Sequence, residues 1–379
     1  MKEFILIIIA YFIGSIPTAL LISKSFFQID IREYGSGNMG ATNTFRVLGP
    51  KYGTIVMVGD MLKGVFAVAL FNLLPYYLTN ELDRTNLMIG LGLAAVPFLS
   101  LIYGVTVGRY NYKVIRQQIF FPDLPDAFDG FTITQISDVH SGSFDNPEKI
   151  NYAIDLVNEQ NSDMILFTGD IVNTDAKEMH PWIETFNRIK KHEYGKYSVL
   201  GNHDYGEYVT WPTEAAKEKN FQDIKNLYGQ IGFKLMLNEH TFIEKGTDKI
   251  ALVGVENWGQ NFKKAGDINK ASEQLNKEDF KILMSHDPSH WDYEIKNHDK
   301  NFHLTLSGHT HGMQFGIEIP GYFKWSLAQY VYTQWAGLYE NVGRYVYVNR
   351  GFGFHAYPGR VGIMPEITVI ELKKGQAMA

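Results

Sequence analysis

Five short clusters in this chain are built from residue types that hold metal ions: Asp138-Val139-His140, Gly169-Asp170, Gly201-Asn202-His203-Asp204, Ser285-His286 and Gly308-His309-Thr310-His311-Gly312. Carboxylates, a carboxamide and imidazoles together suit divalent transition metals. An all-oxygen set would suit magnesium or calcium, and thiolates would favour structural zinc. The sequence contains no cysteine, which excludes disulfides and thiolate ligation.

Such residues must be brought together by the elements that carry them, and each cluster follows a short apolar run of strand character. Residues 131–136 lead into Asp138 and 164–167 into Asp170; 197–200 precede Gly201, 282–284 precede His286, and 304–306 precede Gly308. Helix-like stretches over 147–160 and 214–228 separate several of the runs. Strands alternating with helices predict a layered α/β domain, in which ligands gather beyond the carboxyl ends of the strands. Five clusters distant in sequence can then meet at one site.

In their order and composition the clusters resemble the calcineurin-like metallophosphoesterase superfamily, whose pattern is D-x-H, G-D, G-N-H-D/E, a lone His and G-H-x-H. The resemblance covers about residues 128–370, and the segments 345–351 and 365–367 look like the closing strands of its membrane-associated branch. It implies a β-sandwich flanked by helices and two divalent ions, manganese, iron or zinc. Asp138, His140, Asp170 and His311 would hold one ion; Asp170, Asn202, His286 and His309 would hold the other, with Asp170 bridging. Two ions about 3.5–4 Å apart activate a shared water and clamp phosphoryl oxygens. His203 would serve the leaving oxygen and Asp204 would orient His203. His180, His192, His240, His298 and His303 read as structural or solvated, while His290 and His355 are placed to reach the rim of the site.

The first third is of a different kind. Residues 4–23, 53–74 and 87–108 form three apolar runs, each long enough for a bilayer core of about 30 Å, and predict an all-α membrane region of about three transmembrane helices. The first run is too long for a signal-peptide core. Gly14-Ser15-Ile16-Pro17-Thr18 and the segment 35–43, followed by Arg46, Asp60 and Lys63, resemble the start of the bacterial acyl-phosphate-dependent glycerol-3-phosphate acyltransferases, membrane enzymes of phospholipid synthesis. Ser36, Gly37, Asn38, Asn43 and Arg46 match that family's first active-site loop, a vestigial phosphate loop here. The resemblance runs over about residues 4–74 and then stops; the later histidine-containing motifs are missing, since all 12 histidines lie at or beyond His140.

The expected organisation is an acyltransferase-like fragment over 1–75, a third transmembrane helix and linker over 76–127, and a metallophosphoesterase domain over 128–379. Basic residues beside the runs, Lys24, Arg32, Arg46 and Lys51 after the first and Arg109, Lys113 and Arg116 after the third, place that domain on the cytoplasmic side of a bacterial cell membrane. The net charge of -6 offers no general attraction to nucleic acid. The aromatic stretch from Tyr322 to Tyr339, with Trp325 and Trp335, is either a lipid-facing lip or packing beneath a loop. The function expected is a membrane-anchored phosphoesterase acting on a phosphate mono- or diester or a lipid-linked pyrophosphate. The competing readings are a membrane acyltransferase and a non-catalytic metal-binding scaffold.

Overall fold

The computed structural model describes residues 13–34, 39–79, 95–96, 98–319 and 322–376. The chain divides into two compact units, residues 1–106 with 356–359, and residues 107–355 with 360–379.

The second unit contains fourteen strands among the described residues. They are β1 (Lys113–Phe121), β2 (Thr132–Ile136), β3 (Met164–Phe167), β4 (Lys196–Ser198), β5 (Lys234–Leu235), β6 (Glu239–Lys245), β7 (Asp248–Gly254), β8 (Lys281–Met284), β9 (Leu304–Ser307), β10 (Gly316–Ile319), β11 (Phe323–Ser326), β12 (Gly337–Asn341), β13 (Arg344–Val348) and β14 (Glu366–Lys374). One six-stranded sheet has the order β1-β14-β2-β3-β4-β5 and the other β12-β13-β9-β8-β7-β6, while β10 and β11 form a separate two-stranded ribbon. Within the sheets β2, β3, β4 and β5 run parallel, as do β7, β8, β9 and β13.

The central strands are buried on both faces, and their side-chain alternation sorts residues into layers. From β3, Met164 and Leu166 enter the core between the sheets, shared with Leu252, Ile282 and Leu304 of the opposing sheet. Ile165 and Phe167 point the other way, into a cluster with Ile154, Val157, Ile224 and Leu227 of the covering helices. On the second sheet Ala251, Val253 and Leu283 pack outward against Trp291 and Ile295. The unit is thus a β-sandwich with helical cover, as expected.

Both long covering helices have clear local causes. The helix Pro147–Glu159 starts with the Asn146 side chain accepting from Lys149 N and proline in its first turn, and buries Ile150, Ala153, Ile154 and Val157 at helical spacing. The helix Glu214–Gln230 is capped by Thr213, which accepts from Ala216 N.

Residues 113–121, left in a connector by the sequence, form β1, whose Lys113 pairs with Glu366 of β14. Lys113 and Arg116 mark it as an edge strand, and edge charges make such a strand look like solvated linker.

In the first unit the helix Thr18–Phe27 precedes the helix Ala41–Thr79, which is kinked at Gly49. Among the described residues no helix is long and apolar enough to cross a membrane, so the expected three transmembrane helices are not carried by this structure. The second run lies inside Ala41–Thr79, and its side chains from residue 67 onward lie outside the described residues. The first and third runs fall partly outside the described residues.

Candidate active site

The five clusters sit at the carboxyl ends of β2, β3, β4, β8 and β9, whose ends lie within one residue of level in each sheet: Ile136 pairs with Phe167, Phe167 with Ser198, and Met284 with Leu306. The loops beyond them are tied to one another. Asp138 N donates to Gly169 O at 2.9 Å, His203 N to Asp170 Oδ1 at 2.8 Å, and His309 N to Asp138 Oδ1 at 3.0 Å.

Five residues of these clusters adopt left-handed backbone: Asp138 (φ 51), His140 (φ 47), Asp170 (φ 61), His309 (φ 69) and His311 (φ 49). A non-glycine residue there costs about 1–3 kcal/mol. Strain concentrated on residues that share one chemistry marks a site selected for side-chain placement. Two glycines make the close approach possible. A Cβ on Gly201 would collide with the Asp170 carboxylate, and one on Gly308 with Ser137 Oγ and Asp138 Oδ2.

The side chains gather into two adjoining groups, Asp138 with His140 and His311, and Asp170 with His286 and His309. Asp170 Oδ2 lies 3.1 Å from His286 Nε2 and 3.6 Å from His140 Nε2, so one carboxylate faces both groups. Asn202 Oδ1 is 2.7 Å from His309 Nδ1. All seven expected ligands therefore converge.

The donor atoms fit divalent ions on this structure's own terms. His286 Nδ1–H donates to Thr168 O at 2.7 Å, which leaves Nε2 with its lone pair turned to the cluster. His286 Nε2, His311 Nε2 and His140 Nδ1 are buried without a hydrogen-bond partner, an expensive state for a polar atom unless a ligand takes it. His309 differs, holding Asn202 Oδ1 with Nδ1 while Nε2 accepts from the Tyr332 hydroxyl at 2.8 Å.

Electrostatics point the same way. Burial pushes the Asp138 carboxyl up to about 6, with neighbouring Asp170 adding to it. Burial lowers His140 to about 3 and His309 to about 4, keeping them neutral. Burial opposes a charged His286, yet Asp170 and Asp138 outweigh it and raise the group to about 10. The two buried carboxylates draw a proton to the Nε2 position that a divalent ion would take.

His203 is oriented by a residue that the sequence did not single out: its Nδ1 donates to Asn173 O at 2.6 Å, and the Tyr208 ring stacks on it at 4.2 Å. The Asp204 carboxylate is spent elsewhere, accepting from Asp170 N, Ile171 N, Gly201 N and the Tyr228 hydroxyl. The expectation that Asp204 orients His203 is corrected accordingly. With the backbone of two ligand loops converging on it, Asp204 fixes Asp170 in place.

His355 joins the site, its ring stacked on His140 at 4.8 Å and edge-on to His203 at 4.5 Å. His290 does not; it lies buried behind His286, with Nδ1 2.8 Å from Ser285 Oγ. Arg360, fully buried, went unnoticed in the sequence. Its Nη2 reaches His311 Nδ1 at 3.1 Å and the carbonyls of Gly351 and Gly353. An isolated arginine some 50 residues downstream carries no local signal of this role.

Of the five residues expected in the phosphate loop of the first unit, the structure describes the side chain of Asn43. Asn43 is buried and donates to Ile31 O and Tyr34 O. Ser36, Gly37 and Asn38 lie outside the described residues, as does the Arg46 side chain.

The family description "Calcineurin-like phosphoesterase" matches residues 131–313, and "Glycerol-3-phosphate acyltransferase" matches residues 4–109. The second match reaches past residue 74 and takes in the third apolar run. An uncharacterized metallophosphoesterase, YkuE of Bacillus subtilis, is 34% identical over 66% of this chain and 82% of its own length. A glycerol-3-phosphate acyltransferase of Lactiplantibacillus plantarum is 50% identical over 29% of this chain, and a transmembrane protein with metallophosphoesterase domain from Danio rerio is 28% identical over 72%. The chain spans 50% of that acyltransferase and 60% of the Danio rerio protein. With the five clusters assembled as this pattern requires, the chain belongs to the calcineurin-like phosphoesterases, hydrolases of phosphoric esters, and carries in front a segment similar to glycerol-3-phosphate acyltransferases.

Proposed function

We propose that the chain is a membrane-associated phosphoesterase that hydrolyses a phosphate mono- or diester, with lipid-linked phosphates and pyrophosphates as the substrate class. The observation that carries the hydrolytic reading is the paired groups Asp138/His140/His311 and Asp170/His286/His309 around one shared carboxylate. Asp138, His140, Asp170 and His311 would hold one divalent ion, and Asp170, Asn202, His286 and His309 the other. Ions so placed supply positive charge to the phosphoryl oxygens and acidify a water.

The remaining work belongs to side chains. Water adds to phosphorus as the ester P–O bond breaks, and the leaving oxygen takes a proton. His203 as the imidazolium would deliver it from Nε2 while its Nδ1–H stays on Asn173 O, and the proton lost by the attacking water restores the charge. Tyr208 holds the imidazole plane by stacking, and its hydroxyl accepts from Asn202 Nδ2 at 2.6 Å, joining the proton donor to a ligand. Asp204 and Arg360 hold the loops from behind. Membrane association is supported by the similarity of residues 4–109 to the acyltransferases and by the apolar runs.

The test is metal analysis of the detergent-purified chain together with hydrolysis of an aryl phosphate and an aryl phosphodiester in the presence of manganese. Two bound ions with hydrolysis that Asp170→Asn removes is the expected result. Two bound ions without hydrolysis would favour the scaffold.

A further inference from the structure

The aromatic stretch after the last metal cluster separates into two parts in the structure. Trp335 is buried with Ala328, Ala336 and Ile363, and Trp325 is half-buried. The opposite holds for the ribbon of β10 and β11 and the turn that follows. Tyr322 is 91% exposed and Tyr330 74%, and Ile317, Ile319, Phe323 and Val331 are each more than half exposed. Register explains the ribbon: Ile319 pairs with Phe323 and Ile317 with Trp325, so these apolar side chains share one face.

Charge is withdrawn from this surface. Between residues 313 and 331 the only charged residues are Glu318 and Lys324. Glu318 accepts from Arg350 Nη2 at 2.6 Å, and Lys324 Nζ donates to Ala336 O and the Tyr339 hydroxyl. The surface leads directly to the metal cluster. A cleft lined by Val331, Tyr332, Phe262 and Asp287 adjoins it, and the Tyr332 hydroxyl donates to His309 Nε2.

We propose that the β10–β11 ribbon and its following turn, through Ile317, Ile319, Tyr322, Phe323 and Tyr330, seat in a lipid surface, so that the cluster receives its phosphoester from an amphiphile held there. This rests on the phosphoesterase reading and specifies the setting of its substrate. Tyrosine and phenylalanine beside branched aliphatics suit the boundary between headgroups and acyl chains. A protein-docking patch would carry a polar rim with accessible charge, and this segment has turned both of its charges inward. The same chain carries three apolar runs of bilayer length ahead of the unit, a composition suited to a lipid setting.

The cysteine-free sequence gives a direct test. Single variants Tyr322→Cys and Tyr330→Cys of the full chain, with Tyr152→Cys on the helix Pro147–Glu159 as the aqueous reference, are labelled with a nitroxide. They are reconstituted in phosphatidylethanolamine–phosphatidylglycerol vesicles. The oxygen-to-nickel-chelate accessibility ratio at 322 and 330 is expected to exceed that at 152 severalfold. A ratio equal to that at 152 places the segment in water and overturns the proposal. Shielding from both reagents places it under protein, a second copy or another chain, and overturns it too. Hydrolysis of a soluble aryl phosphate, measured on the same samples, reports separately on the phosphoesterase reading.

Discussion

The two units of this chain differ in how their described polar groups are spent. In the phosphoesterase unit, candidate ligands from five loops meet, several on left-handed backbone, and several ring nitrogens are buried without protein partners. Among the described residues of the first unit, Asn43 binds the carbonyls of Ile31 and Tyr34, and Lys63 and Thr18 both donate to Asp60. Unspent ligand atoms and strained backbone suit a site poised for a ligand. Groups that bond one another hold a fold together.

The contrast breaks most visibly in the chemistry. Asp170→Asn, which removes the carboxylate placed to hold both ions, should reduce aryl phosphate hydrolysis by about 10²–10³-fold, the scale of losing electrostatic stabilisation of the transition state, whereas Asn43→Ala should leave the rate unchanged. Transfer of an acyl group from acyl phosphate to glycerol 3-phosphate by the intact chain should be undetectable by radiolabel assay, and its appearance would reverse the comparison.

Glycines offer a second contrast. Gly308→Ala forces a methyl group against Ser137 and Asp138, and should lower the unfolding free energy by about 1–3 kcal/mol with loss of bound metal. Gly64→Ala, in the helix Ala41–Thr79 with nothing among the described residues near its added Cβ, should instead be neutral or stabilising by less than about 1 kcal/mol. Denaturant titrations of both variants decide this.

Smaller effects sharpen the picture within the phosphoesterase unit. Arg360→Gln removes the side chain that donates to the carbonyls of Gly351 and Gly353 beside His311, and metal titration should show affinity weakened about 10–100-fold, as for other groups outside the ligands that hold a metal site. Lys281, buried and bonded to the carbonyls of Lys277 and Asp279, is lowered by burial from 10.5 to about 8. Its folded value lies below its unfolded one, so the native state binds fewer protons between pH 8 and 10.5 and stability gains with rising pH there. Lys281→Met should flatten that rise in thermal unfolding midpoints, measured with metal saturating.

How much of this was readable in the sequence follows from where each signal resides. The convergence of the candidate ligands was legible because each cluster follows its own strand, as Asp138 does after β2 and His286 after β8. Arg360 and Asn173 act through positions that only the folded chain brings near His311 and His203. Asp204 misled because adjacency to His203 in sequence says nothing of where a carboxylate points, and its pull toward the backbone of the Asp170 loop is a tertiary fact. The strand β1 was hidden by its edge position, and the aromatic stretch could be divided into core and surface only once its register was known.

The left-handed ligand residues also bear on how long the protein survives in a cell. Ions that bind only the folded chain stabilise it by mass action, and strain at Asp138, His140, Asp170, His309 and His311 makes the ion-free fold the one that opens more readily. Proteases sample that opened state, so the steady-state amount of this protein is expected to follow the supply of its metal. A cell short of the ion would lose the enzyme as well as its turnover.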